Sequence, residues 1–142
     1  MNKYYSIKLE NQLCFPLYAL SREIIKLYKP ILDKYNLTYT QYIAMLVMWD
    51  EEKITFKNLG KKLHLDSGTL TPVLKKLEAM ELIVKYRTVE DDRVVMVELT
   101  EKGRALKENI TEVPKNIFCQ IGMTIEESNN LKNALDKLLN KF

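Results

Sequence analysis

Asp66-Ser67-Gly68-Thr69-Leu70-Thr71-Pro72-Val73-Leu74-Lys75-Lys76-Leu77-Glu78 is the stretch around which the rest of the chain can be placed. At 100° per residue, Leu70, Val73, Leu74 and Leu77 fall on one stripe, so the segment reads as an amphipathic helix. Its outer side centres on Gly68, Pro72, Lys75 and Ala79, with Thr71 and Lys76 beside it. Small residues near the N-terminal end and ammonium groups further along leave hardly anything bulky on that side. A helix of this profile fits the DNA major groove and offers hydroxyls and Lys to base edges and phosphates. Two β-rich runs joined by a charged tip follow, then another helix start. The succession predicts a winged helix-turn-helix.

Working outward, His64-Leu65 reads as a turn, preceded by a short helix over Phe56 to Leu63 that Thr55 caps. Thr38-Tyr39-Thr40-Gln41 has the form of a capping box for a helix running to Trp49. The first helix is expected from about Pro16 to Asp33, with Leu17, Leu20, Ile24, Leu27 and Ile31 on its apolar stripe. Pro16 suits a first turn, whereas Pro30 is expected to kink or end the helix. Pro72 predicts that its helix starts late or opens irregularly. Leu82 to Arg87 and Val94 to Leu99 are strand-like, with Thr88 to Arg93 as the turn between them.

Thr100 caps a fifth helix carrying Leu106, Ile110, Val113, Ile117 and Phe118, which Pro114 should bend. A last helix from about Ile125 carries Leu131, Leu135, Leu138 and Phe142. The expected order is α-α-α-α-β-β-α-α: mainly α, with a small β-wing. One domain over 1–142 is expected, with the winged helix at about 37–100 and outer helices at about 8–34 and 101–142. The outer stripes need cover. They could pack on their own domain, but a two-fold homodimer matches a palindromic site with half-sites about 34 Å apart.

Net charge is only +3, yet Lys57, Lys61, Lys62, Lys75, Lys76, Lys85, Arg87 and Arg93 gather in the middle third. A local basic face on a near-neutral chain suits double-stranded DNA. No apolar run approaches the roughly 18 residues of a membrane span, and Met1 to Ser6 lack a signal-peptide core, so a cytoplasmic protein is expected. Cys14 and Cys119 lie far apart and fit no zinc spacing. A single histidine, His64, argues against a His-based metal site or a Ser-His-Asp triad. There is no Gly-rich phosphate loop, and no cofactor is expected.

Over nearly its full length the chain resembles the MarR family of winged-helix regulators. Asp91-Asp92-Arg93 of the wing and Leu99-Thr100-Glu101-Lys102-Gly103 carry the likeness. It is most similar to the organic-hydroperoxide-sensing OhrR/SarZ/MgrA branch, through Leu9-Glu10-Asn11-Gln12-Leu13-Cys14-Phe15 and Leu65 to Pro72. The resemblance implies a dimeric repressor on a pseudo-palindromic operator, with organic hydroperoxide as inducer. It makes Cys14 the peroxide-reactive thiol, with Tyr28 and Tyr39 matching the tyrosines that hydrogen-bond its sulfur and Tyr18 matching a third from the neighbouring subunit. Arg93 matches the wing-tip arginine that enters the minor groove, and Asp91 the acid that orients it. Ser67, Thr69, Thr71 and Lys75 match positions near bases or phosphates; Gly68, Pro72, Lys76, Lys85 and Arg87 complete the expected DNA-facing set. Cys119 matches the resolving cysteine of two-cysteine members, which implies a Cys14–Cys119 disulfide between subunits after oxidation. Pro16 departs from the aliphatic residue that relatives often carry.

The chemistry implied is consistent: a thiolate attacks peroxide, a helix N-terminus favours the thiolate, and a sulfenic acid condenses with a second thiol. Plainer readings stand beside it. Cys14 and Cys119 could be small buried hydrophobes, the tyrosines packing residues and the lysines solvated faces. A MarR-type repressor switched by a small aromatic ligand between helices is the nearest alternative. A thiol peroxidase and a protein-binding adaptor are further ones.

Overall fold

The computed structural model describes residues 2–142. Among them run seven α-helices: α1 (Cys14–Leu32), α2 (Tyr39–Glu51), α3 (Phe56–Leu63), α4 (Ser67–Ala79), α5 (Glu101–Asn109), α6 (Glu112–Ile121) and α7 (Ile125–Leu139). Three strands, β1 (Lys53–Thr55), β2 (Ile83–Arg87) and β3 (Val95–Leu99), form one antiparallel sheet in the order β1-β3-β2. The chain divides into two compact units, the first ending at Thr111 and the second spanning Glu112–Phe142. Helix α5 therefore belongs with the winged helix, beyond the boundary near residue 100 that the sequence suggested.

Caps fix where the helices begin. Thr38 and Gln41 form the expected capping box, and Thr55 and Thr100 accept from the Asn58 and Gly103 amides. The Asp66 carboxylate caps α4 by accepting from the Thr69 amide at 2.8 Å. That bond, with one from the Thr69 hydroxyl, holds Asp66 below the usual carboxylate range. Leu70, Val73, Leu74 and Leu77 are buried as the stripe requires, against a core that includes Met45, Met48, Leu59, Ile83 and Val97.

The three mid-chain prolines all lie inside helices. Helix α4 starts on time at Ser67, with Pro72 as its sixth residue. The proline has no N–H for the Gly68 carbonyl, while the Thr71 hydroxyl turns inward to donate to the Ser67 carbonyl at 2.7 Å. Pro30 does not end α1, which continues through the buried Ile31 and Leu32. The expected fifth helix is two helices. Pro114 cannot donate to the Ile110 carbonyl and its ring crowds that group, so the ladder breaks at Ile110–Thr111 and α6 restarts with Pro114 third.

Strand β1 was not anticipated. Three residues are too few for a period to show, and β1 exists because Lys53, Ile54 and Thr55 pair with Glu98, Val97 and Met96. Gly103 locks α5 to this sheet. A Cβ there would collide with the Leu82 carbonyl and lie 2.7 Å from Leu99 Cδ1, while its own carbonyl accepts from Trp49 Nε1 at 2.8 Å.

Candidate DNA interface and thiol site

Helix α4 presents Ser67, Gly68, Thr69, Thr71, Pro72, Lys75 and Lys76 as exposed residues, opposite its buried stripe. The Thr71 hydroxyl proton is committed within the helix, so toward a base or phosphate this residue only accepts. Strand alternation puts Lys85 and Arg87 on the same side of the sheet as the buried Ile83. Both therefore lean toward α4, and together with Thr71 and Phe56 they line a depression of about 310 Å³ between α4 and the wing. Arg87 is pinned by donating to the Asp92 carbonyl at 2.7 Å.

The wing tip is well organised. Thr88 and Val94 close it with a 3.1 Å backbone bond, and the Thr88 hydroxyl donates to the Asp91 carbonyl at 2.6 Å. Asp91 grips Arg93 through both carboxylate oxygens, at 3.0 Å from Nε and 3.2 Å from the terminal nitrogen. The arginine nevertheless stays 87% exposed. Its guanidinium and amide hold the Asp91 carboxyl below the usual range. Among the described residues no carboxylate pairs with Lys57, Lys61, Lys75, Lys76 or Lys85. Lys62 differs, because Glu51 holds it at 2.7 Å. The face made by α3, α4 and the wing thus carries uncompensated positive charge suited to phosphates.

The thiol residues are arranged otherwise. Cys14 is the first residue of α1, exposed, behind a Leu13 that offers no side-chain cap. Cys119 is exposed on α6 in the second unit. Tyr28 and Tyr39 do meet, with ring centroids 4.8 Å apart, and Tyr42 joins them at 5.8 and 6.5 Å. Burial, reinforced by its two neighbours, pushes Tyr28 up to about 12, so its hydroxyl keeps its proton. Burial likewise raises Tyr39 and Tyr42. This cluster is remote from Cys14 of its own chain. Tyr28 lies fourteen residues further along α1, about 21 Å at 1.5 Å per residue. Tyr18 stands on the exposed side of α1, with Arg22 donating to its hydroxyl at 3.1 Å.

Tyr42 and Phe56 escaped the sequence reading. Tyr42 had a signal, standing three residues after Tyr39 and hence on the same helical side. Phe56 had none, since its position depends on how α3 meets the wing. A cavity of about 300 Å³ next to the tyrosines is lined by Ile25, Tyr28, Leu32, Leu37 and Tyr39 among others. Large apolar residues also stand exposed on each unit separately: Leu13, Phe15, Tyr18, Leu20 and Ile25 on the first, and Leu131, Leu135, Leu138 and Leu139 on the second. No helix of the described residues is long and apolar enough to cross a membrane.

Residues 26–110 match the family described as transcriptional regulator SarA/Rot. The organic hydroperoxide resistance transcriptional regulator of Bacillus subtilis strain 168 is 51% identical over 138 residues, 97% of this chain and 94% of its own. Among solved structures, reduced AbfR bound to DNA superposes with a TM-score of 0.80 at 32% identity, over 98% of this chain and 97% of that one. Disulfide-formed AbfR gives a TM-score of 0.67 at 31% identity, over 96% of each chain.

Proposed function

The chain belongs to the SarA/Rot family of winged-helix transcriptional regulators, and from that premise we propose that it is a homodimeric, cytoplasmic repressor that leaves its operator when organic hydroperoxide oxidises Cys14. It is a regulator that binds DNA, not an enzyme. The observation that carries the redox reading is the placement of Cys14: an exposed thiol in the first turn of α1. The name of the Bacillus subtilis relative supports the choice of inducer, and the disulfide-formed state of AbfR supports a thiol switch.

The exposed apolar side chains at the start of α1 and along α7 support dimerisation, since Leu13, just before α1, is 76% exposed and Leu131, Leu135, Leu138 and Leu139 of α7 all remain partly open. A two-fold arrangement also answers the distance problem at the thiol. Tyr28 stands about 21 Å along α1 from its own Cys14, so the Tyr28 and Tyr39 hydroxyls that meet the sulfur are those of the other subunit. They donate to the thiolate as neutral phenols and add no second negative charge.

In the proposed reaction the Cys14 thiolate attacks the outer peroxide oxygen. The O–O bond breaks, the alcohol leaves with one proton, and Cys14 becomes a sulfenic acid. The Cys119 thiol of the partner subunit then displaces water, leaving a Cys14–Cys119 disulfide. The peroxide is reduced by two electrons, and the two thiols supply them. Ser67, Gly68, Thr69, Thr71, Pro72, Lys75 and Lys76 of α4 face a pseudo-palindromic half-site, while Lys85, Arg87, Asp91 and Arg93 serve the wing.

Fluorescence anisotropy with the duplex from upstream of the protein's own gene tests this. Tight binding that cumene hydroperoxide abolishes and dithiothreitol restores, and that Cys14→Ser makes insensitive to peroxide, is the expected result. Release unaffected by Cys14→Ser would overturn it. The cavity beside Tyr28 favours a second reading, release by a small aromatic ligand. In that case salicylate would dissociate both the unsubstituted protein and Cys14→Ser.

A further inference from the structure

Phe56, half-buried at the head of α3, separates two depressions on the first unit. One is the α4–wing depression described above. The other, about 340 Å³, has Thr55, Lys57 and Asn58 on one side and Arg93, Val94 and Val95 on the other. No acidic side chain lines it. Lys57 and Asn58 are both exposed, and Lys57 has no ion-pair partner among the described residues. Arg93 is paired with Asp91, yet its side chain stays 87% exposed and open to a further acceptor. The depression therefore offers an ammonium, a guanidinium and a side-chain amide around a space large enough for a phosphate group.

We infer that this second depression seats a backbone phosphate of DNA, with Lys57 supplying the charge and the Asn58 amide a hydrogen bond. The inference rests on the DNA-binding reading and adds a contact from α3 to those of α4 and the wing. Its position next to Arg93 gives it a purpose. An arginine in the minor groove lies between two phosphate strands, and Lys57 stands where the bordering strand passes the base of the wing. Phe56 keeps the two depressions apart, so phosphates on its two sides are held by different elements: Lys85 and Arg87 on one, Lys57 and Asn58 on the other. Phosphate contacts set position and affinity without reading bases. Lys57 should accordingly contribute equally on operator and non-operator DNA.

The test is a salt titration of operator binding by the full-length reduced protein, compared with Lys57→Ala, Asn58→Ala and Lys57→Arg. Each lost phosphate contact lowers the slope of log K against log salt by about 0.9, hence by nearly 2 for a two-fold dimer. Lys57→Ala is expected to show that loss, with the ratio of operator to non-operator affinity unchanged, and Lys57→Arg to restore the slope. Asn58→Ala is expected to weaken both duplexes with little change of slope. An unchanged slope and affinity in Lys57→Ala would overturn the seat while leaving the DNA-binding reading intact. Failure of the unsubstituted protein to bind any duplex would overturn that reading, and the seat with it.

Discussion

Asp91 holds Arg93 in a two-point grip, Nε to Oδ1 at 3.0 Å and the terminal nitrogen to Oδ2 at 3.2 Å, while leaving the guanidinium almost wholly in solvent. An exposed pair of this kind contributes little to folding. Its consequence is directional. The backbone amide of Arg93 also donates to Asp91 at 3.0 Å, so the carboxylate fixes both ends of the same residue. The wing thus keeps a charged side chain extended before any DNA arrives.

Arg93→Ala should cost operator affinity and reduce the salt slope by about 0.9 per contact. Asp91→Asn should cost less, because the arginine remains but must be ordered on binding. The carboxyl of Asp91 is held below its ordinary value of about 3.9. A depressed value means that the grip is intact above the ordinary value and is lost only as pH falls through the lower native one. Operator binding should therefore show no Asp91-dependent step near neutrality, which a pH series on Asp91→Asn beside the unsubstituted protein would reveal.

Three of the eight tyrosines should titrate late. Tyr28 is pushed up to about 12, and Tyr39 and Tyr42 are raised as well, chiefly because burial disfavours the phenolate. The native state therefore favours the protonated ring. That preference is present in full below the ordinary value near 10 and disappears as pH rises through the native one. The tyrosinate absorbance that appears at the highest pH should be smaller in Tyr28→Phe. The same variant should bind operator normally when reduced and respond more slowly to peroxide.

Much of this was legible in the sequence, for identifiable reasons. The helices that announced themselves had either a cap, as Thr38 and Gln41 give α2, or a long apolar stripe, as α1 has without any side-chain cap. Strand β1 had neither, and only its partner β3 defines it. Pro114 was visible, but the break falls four residues earlier, at the carbonyl it fails to serve. The α4 side was readable from residue type, whereas the wing pair followed from the family resemblance. The depression beside Lys57 was not, because it arises where α3 passes the wing, two elements some 35 residues apart in sequence.

Gly103→Ala should be among the most damaging small substitutions in the first unit. The added methyl would meet the Leu82 carbonyl oxygen, a backbone atom that cannot swing aside, and Leu99 Cδ1 at 2.7 Å. Relief requires α5 to move, which strains the Trp49 Nε1 bond to the Gly103 carbonyl. Overpacking of this sort costs about 1–3 kcal/mol. The midpoint of urea unfolding should fall accordingly, with Trp49 fluorescence reporting the change.

Pro72→Ala should act in the opposite sense on stability. Pro72 is the sixth residue of α4, past the turn in which its missing N–H would be harmless, so an alanine would give the Gly68 carbonyl its donor and remove the ring that crowds it. Interior prolines cost helices about 3 kcal/mol relative to alanine, and the accommodation already present here reduces the gain to something on the order of 1–2 kcal/mol. Tm should rise. DNA binding should not improve with it, because Pro72 itself stands exposed on the DNA-facing side of α4, one turn after Gly68 and Thr69. A tighter ladder there would shift those residues against the groove. Operator affinity should fall relative to non-operator affinity in the more stable variant, measured by competition anisotropy; a parallel rise in stability and selectivity would show that Pro72 serves no purpose at the interface.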